Sequence, residues 1–290
     1  MKDWPGTTYG SEWMHKWLIR LLRYIDTRVF YLFVAIFIIP VCLVLNPSSG
    51  ISYRYFRQRM GYGRLKSAWK TYINHCLFGQ VVIDKFAMYA GKKFNIEIEG
   101  QEHFHNLAIR PDGFVLLSAH IGNYEIAGYT LVAKNKRFNA LVFAREKESV
   151  MRNRNKMFAS TNINMIAIRP DMSHLFEINQ ALTDGETVSM SADRINGSPK
   201  HIELDFLGAK AKFPLGPFFV TTMRSLNVLE VSVMKTSLRS YKIYVTPLHY
   251  DKTANHKEQI NQLSKAYVAE FEKRVRQYPT QWYNYFEFWG

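Results

Sequence analysis

The chain has 290 residues, 47% of them hydrophobic and 15% aromatic, which is ample for a sizeable core and excludes global disorder. Its 38 Lys and Arg against 24 Asp and Glu leave a formal charge of +14, which asks for an anionic partner: nucleic acid, an acidic lipid surface, or a phosphorylated or acyl-carrier substrate. Two cysteines, Cys42 and Cys76, argue against a disulfide framework or a cysteine metal site and fit a reducing compartment.

Residues 1–90 read as helical. Trp13, Trp17, Leu21 and Leu22 pattern an amphipathic opening helix, and the seventeen residues Val29–Leu45 then carry no charge. A straight helix of that length covers about 26 Å against roughly 30 Å of hydrocarbon, so it is marginal as a span. Pro40 is expected to kink it. Asn46-Pro47-Ser48-Ser49-Gly50 offers no small-x-small cleavage site, which makes a signal peptide a poor reading, and membrane attachment is preferred over a buried core helix. Arg54, Arg57, Arg59, Arg64, Lys66 and Lys70 follow with no acidic residue before Ile83, which places the body of the protein on the cytoplasmic side. Lys2, Lys16, Arg20, Arg23 and Arg28 make the preceding segment basic too, so a full span and a bent anchor with both ends on one face both stand. A second helix is expected over Arg64–Ala90, ended by Gly91.

From Phe94 short apolar strands alternate with helical stretches. Strands are expected at Phe94–Glu99, Phe114–Ala119, Phe138–Ala144, Ile163–Ile168, Thr187–Ala192, Ile202–Phe206, Val228–Val233 and Tyr241–Val245. Helices are expected at Tyr124–Lys134, Ser149–Phe158, Ser173–Thr183, Leu215–Ser225 and Lys257–Tyr278. That alternation predicts an α/β fold, a mainly parallel central sheet flanked by helices, with a hydrophobic helical membrane anchor at the amino terminus. Two regions follow: a membrane-associated helical region at 1–90 and an α/β domain at 91–290.

In such sheets ligands collect beyond the carboxyl ends of the strands. The segment Ser118-Ala119-His120-Ile121-Gly122-Asn123-Tyr124-Glu125 sits at one such end, with Gly122 and Asn123 as turn and N-cap residues. His120 on the turn and Glu125 one turn into the next helix would meet, the carboxylate fixing the imidazole tautomer and leaving the other nitrogen as a general base. Arg145, Arg152 and Arg154 follow the third strand, and Asp193 and Arg194 follow the fifth. Arginine forks suit phosphate and carboxylate, so these five residues are candidates for substrate binding, with Asp193 orienting an arginine or binding a sugar hydroxyl.

Together these blocks resemble the lysophospholipid acyltransferase-like superfamily and, within it, the lipid A biosynthesis (late) acyltransferase family. His120 to Glu125 is similar to the family's His-x4-Asp/Glu block, and Asp193 to the aspartate after its Gly-Glu-x-Val segment. Phe206-Leu207-Gly208-Ala209-Lys210-Ala211, with Pro214-Leu215-Gly216 behind it, resembles a further family stretch, as do the hydrophobic amino terminus and Tyr278-Pro279-Thr280-Gln281-Trp282-Tyr283. Three places depart from the pattern: Glu146 after Arg145, Arg194 after Asp193, and Tyr285-Phe286-Glu287-Phe288-Trp289 at the carboxyl end.

The resemblance implies transfer of a fatty acyl chain from an acyl thioester, on acyl carrier protein or coenzyme A, to a hydroxyl of a lipid or glycolipid. It also implies a bacterial inner-membrane location, on the cytoplasmic face, with no cofactor or metal. His120 would deprotonate the acceptor, and backbone N–H groups near Asn123 or a rim arginine would stabilise the oxyanion. Two rivals are a membrane-associated hydrolase using the same dyad on water, and a non-enzymatic protein binding anionic lipid or nucleic acid. Against the first, there is no Gly-x-Ser-x-Gly elbow; against the second, the basic residues are spread out and no nucleic-acid motif is present.

Overall fold

The structure, a computed structural model, describes residues 12–133, 135–143, 162–169, 171–195 and 200–289. Helix α1 (Glu12–Tyr24) leads into α2 (Thr27–Leu45), which Asp26 caps by accepting from the Arg28 N–H at 2.9 Å. Pro40 does not break α2. The helix continues through it by widening into a π-helical turn over Val34–Ile38. Next come α3 (Ser48–Arg54), running into a second π turn at Tyr55–Arg59, and the long α4 (Arg64–Tyr89).

The α/β part follows in chain order as β1 (Asn95–Glu99), α5 (Gln101–Ala108), β2 (Phe114–Gly122), α6 (Glu125–Thr130), β3 (Phe138–Phe143) and β4 (Ile163–Ile168). After these come α7 (His174–Thr183), β5 (Thr187–Ser191), β6 (His201–Phe206), β7 (Ala209–Pro214), α8 (Leu215–Thr222), β8 (Asn227–Ser237), β9 (Ser240–Leu248) and α9 (His256–Gln277). Among the described residues, seven strands form one sheet in the order β1-β9-β8-β2-β5-β3-β4, parallel at every junction except β8–β9. The fold is therefore α/β with a mainly parallel sheet flanked by helices, as the alternation predicted.

Strand β2 lies in the middle and is buried on both faces, which is why Phe114-Val115-Leu116-Leu117 is a continuous apolar run. Its odd-numbered side chains Val115, Leu117, Ala119 and Ile121 face a core built with α9, the β6–β7 ribbon and Trp282. Phe114 and Leu116 face the opposite core, made with α5 and α6. By the same alternation His120 belongs to the second face.

Strand β7 and helix α5 were not read from the sequence. Strand β7 reads Ala-Lys-Ala-Lys-Phe-Pro and has little strand propensity of its own; it forms because Leu207 and Gly208, both at positive φ, close a tight hairpin onto β6. Helix α5 is a short connection between β1 and β2. The helix expected at Ser149–Phe158 lies outside the described residues.

The amino-terminal helices are tied to the sheet by a buried polar cluster. Asp84 of α4 accepts hydrogen bonds from Tyr31 of α2, Lys235 of β8 and Tyr241 of β9. Asp84 is wholly buried and Lys235 nearly so, and an ion pair out of water holds only with such complete partnering. Part of the basic stretch after α2 is engaged with the carboxyl end of the chain: Arg54 pairs with Glu287, and the Arg59 guanidinium lies 4.7 Å from the Trp289 ring centre.

Candidate active site

The site forms where β2 loosens from β8. Ser118 pairs with Val231 and Gly122 with Val233, so β2 places four residues against two and bulges at His120. Gly122 has φ +56°, and a Cβ there would fall 1.9 Å from the Val233 carbonyl oxygen, so glycine is required. The carboxyl-terminal segment fills the gap on the other side. Ile121 bridges Trp282, and the Tyr283 N–H donates to the His120 carbonyl at 3.4 Å.

On its second edge β2 runs parallel to β5, with Ser118 opposite Ser191 and the Ala192 N–H donating to the Ser118 carbonyl at 2.9 Å. Two residues past β5, Asp193 therefore arrives alongside His120. Its Oδ1 accepts from Nδ1 of His120 at 2.8 Å, and its Oδ2 accepts from the His120 backbone N–H at 3.0 Å. Asp193 is 1% exposed and the His120 side chain 19%, so the pair is shielded while the ring keeps an edge toward solvent.

Electrostatics fit this arrangement. Burial lowers the affinity of His120 for a second proton, the nearby Arg194 charge acts the same way, and Asp193 offsets them only in part. Burial opposes ionisation of Asp193, but the imidazolium charge when His120 is protonated, the hydrogen bonds from His120 in either state, and the Arg194 charge hold its carboxyl below the usual range. The result is a carboxylate accepting from a neutral imidazole protonated on Nδ1, with the Nε2 lone pair available as a base. Tyr124 packs edge-on against the imidazole, ring centres 5.5 Å apart.

The structure separates His120 from the partner expected for it. Glu125 opens α6 and accepts from Lys85 of α4 at 2.7 Å, while Nδ1 of His120 is held by Asp193. The physical reason is register: the β2–β5 pairing brings Asp193 to the backbone of His120 itself, and the turn at Asn123-Tyr124 directs Glu125 toward α4. Asp193 accordingly meets His120. Arg194 donates from Nη2 to the Tyr283 carbonyl at 3.0 Å and lies over the Phe286 ring at 5.3 Å, fixed beside the pair. The Asn123 N–H, expected near the oxyanion, donates instead to the Val233 carbonyl at 2.8 Å. Arg145, Arg152 and Arg154 lie outside the described residues.

Sequence reasoning also missed the carboxyl-terminal segment as a wall of the site. Asn74 of α4 donates to the carbonyls of Thr280 (2.9 Å) and Trp282 (3.0 Å), and Gln281 exchanges two 2.8 Å hydrogen bonds with the backbone of Lys235. Dense aromatic content after Tyr278 was the available signal. A separate cleft of about 810 Å³ opens between the β6–β7 ribbon and α9, lined by Lys210, Lys265, Glu272 and Arg276 among others, and neither His120 nor Asp193 lines it.

A family model described as bacterial lipid A biosynthesis acyltransferase matches residues 78–289. Among solved structures, the crystal structure of the 1-acyl-sn-glycerophosphate (LPA) acyltransferase PlsC from Thermotoga maritima is similar, at 15% identity over 93% of this chain and 100% of that chain, with a TM-score of 0.40. No curated protein matches the chain.

Proposed function

Since the chain belongs to the bacterial lipid A biosynthesis acyltransferase family and is an acyltransferase acting on lipids, we propose that it moves a fatty acyl chain from a thioester to a hydroxyl of a lipid A-like glycolipid or other envelope lipid. The donor in this reading is acyl carrier protein, with acyl-coenzyme A as the simpler thioester of the same chemistry. The observation that carries it is the Asp193–His120 pair, a neutral, oriented imidazole at the carboxyl end of a central parallel strand.

In this mechanism Nε2 of His120 removes the acceptor hydroxyl proton as that oxygen attacks the thioester carbonyl. A carbon–oxygen bond forms, and the carbonyl electrons move onto oxygen. Asp193 stabilises the imidazolium that results and keeps it in the one useful tautomer. Collapse of the oxyanion breaks the carbon–sulfur bond, and the leaving thiolate takes the proton back from Nε2. Products are an ester and a free thiol, and the base is regenerated. Arg194 is the group we assign to the oxyanion, because its guanidinium is anchored beside the pair on the Tyr283 carbonyl. We assign Arg145, Arg152 and Arg154 to phosphate on the acceptor or on the carrier's phosphopantetheine. Glu125, in its ion pair with Lys85, ties the start of α6 to α4.

The helix Thr27–Leu45 is long and apolar enough to cross a membrane, and only 11% of its apolar window is buried in the protein. A core helix would be mostly covered, so we place the enzyme at a membrane, on the cytoplasmic face of the bacterial inner membrane, where a lipid acceptor and a soluble carrier both reach it. Lipid profiling of a strain lacking the protein tests the whole reading: one lipid class should lose a single acyl chain, and purified protein with acyl carrier protein thioester should restore it. An unchanged lipid profile together with no transfer in vitro would refute it.

A further inference from the structure

Helix α2 is held along its length by α4. Tyr31 donates to Asp84, Val34 and Ile39 lie against Gly79, and the Tyr72 hydroxyl donates to the Ala35 carbonyl at 3.1 Å. The π turn explains the last contact. In that register the carbonyl of Ala35 would bond the N–H of residue 40, which is proline, and Tyr72 supplies the missing donor. Residues later in α2 meet residues earlier in α4, so the two helices lie antiparallel, side by side.

The other side of α2 is bare. Val29, Leu32, Phe33, Ile36, Phe37, Val41, Val44 and Leu45 are each more than half exposed, at the i, i+3, i+4, i+7 spacing of a single helical stripe. Leu65 and Trp69, at the start of α4, are exposed as well, at 89% and 60%.

These facts bear on how α2 would meet lipid. Were α2 to cross a bilayer, α4 beside it would enter at the same depth, carrying Lys70, Asn74, His75, Asp84 and Lys85. Asn74 would bring with it the carboxyl-terminal segment that walls the site. Each buried charge in hydrocarbon is costly, and this helix carries several.

We propose that α2 lies in the plane of the membrane, seated in one leaflet with α4 as its backing, so that both of its ends emerge on the same face. The partner is an acidic lipid surface: Arg23, Arg28 and Arg64 are exposed near the ends of the bare stripe, and the chain carries +14 overall. The consequence for catalysis is geometric. His120 is joined to α4 through the Tyr283 contact and the Asn74 hydrogen bonds to the same segment, so the base is held at a fixed height above the leaflet that supplies the acceptor.

This inference rests on the membrane-bound reading, and the test separates the two. Full-length protein with Cys42→Ser and Cys76→Ala receives a single cysteine as Arg28→Cys or Asn46→Cys, at exposed positions near the two ends of α2. Sealed inside-out and right-side-out membrane vesicles are then treated with a membrane-impermeant maleimide. Both sites should react, to within about twofold, in vesicles of one sidedness and not in the other. Nitroxides at Val29, Phe37 and Val44 should report similar depths. One end labelling in each vesicle type, with depth graded along the helix, would overturn the in-plane placement and leave the membrane reading intact. Recovery of the protein in the soluble fraction, with the stripe covered by a second copy, would overturn both.

Discussion

Asp193 holds His120 at two points, the ring Nδ1 at 2.8 Å and the backbone N–H at 3.0 Å. One carboxylate therefore sets both where the strand end lies and which way the imidazole faces. Replacing one of its oxygens by an amide nitrogen leaves the shape and removes the charge. Asp193→Asn is expected to lower kcat by about 10²- to 10⁴-fold with little change in KM, as expected for loss of a group that orients and stabilises a general base. His120→Ala, by removing the base itself, should lose at least as much while remaining folded. Steady-state kinetics alongside circular dichroism check both. A rise in KM alone for Asp193→Asn would return that residue to the substrate-binding role read from the sequence.

The acid limb of the pH–rate profile should report His120. Burial and the Arg194 charge lower its titration below the ordinary imidazole value of 6.5, and only the neutral ring can accept a proton. Activity should therefore persist as pH falls through 6.5 and drop below it. Arg194→Gln removes a positive neighbour, favours the imidazolium, and should move that midpoint upward as well as lowering kcat. An acid limb that stays in place in this variant would remove Arg194 from the neighbourhood of the base.

Gln281 completes the backbone of Lys235 with two 2.8 Å hydrogen bonds, as a neighbouring strand would. Both partners are buried, so Gln281→Ala leaves an N–H and a carbonyl without their bonds, at a cost of about 2–4 kcal/mol in stability. Because the next residue bridges the His120 strand, kcat should fall too. Thermal denaturation and turnover, measured on the same preparation, check the pair of effects.

Glu230 lies fully buried on β8, hydrogen-bonded by Ser232, and burial raises its carboxyl from 4.5 to about 7. Between these values the folded protein keeps a proton that the unfolded chain has released. Stability therefore falls as pH rises through that window, by on the order of 3 kcal/mol if the whole shift is realised. Glu230→Gln should flatten the dependence and be the more stable form at pH 8. Denaturant melts at pH 5 and pH 8 measure it; equal slopes for both proteins would rule out this role for Glu230.

Deleting residues 1–45 is a poor probe of membrane attachment. Leu22 and Tyr31 share a buried cluster with Ile83, Phe86 and Ala87, and Tyr31 is one of the donors to Asp84, so truncation opens a core as well as removing the exposed stripe. Phe33→Ser with Phe37→Ser, at bare positions of the stripe, is expected to weaken binding to vesicles containing phosphatidylglycerol at least tenfold without a change in melting temperature. Vesicle co-sedimentation measures it.

Local patterns in this chain were legible because each is written in neighbouring residues. Continuous apolar runs such as Phe114–Leu117 marked buried parallel strands, Gly122 marked a turn, and Val29–Leu45 marked an apolar helix without a charge. From these the α/β class and the place of His120 at a strand end followed. What the sequence could not settle was partnership across distance. His120 and Glu125 are five residues apart and face different elements, whereas Asp193, seventy-three residues on, meets His120 because β2 and β5 are neighbours in register. Strand order is decided by which apolar faces bury each other, and that depends on all the strands at once. The same holds for α2, whose composition allows a span and whose packing along α4 argues for lying flat. Composition sets the affinity of a segment for lipid; its neighbours set the direction in which it can enter.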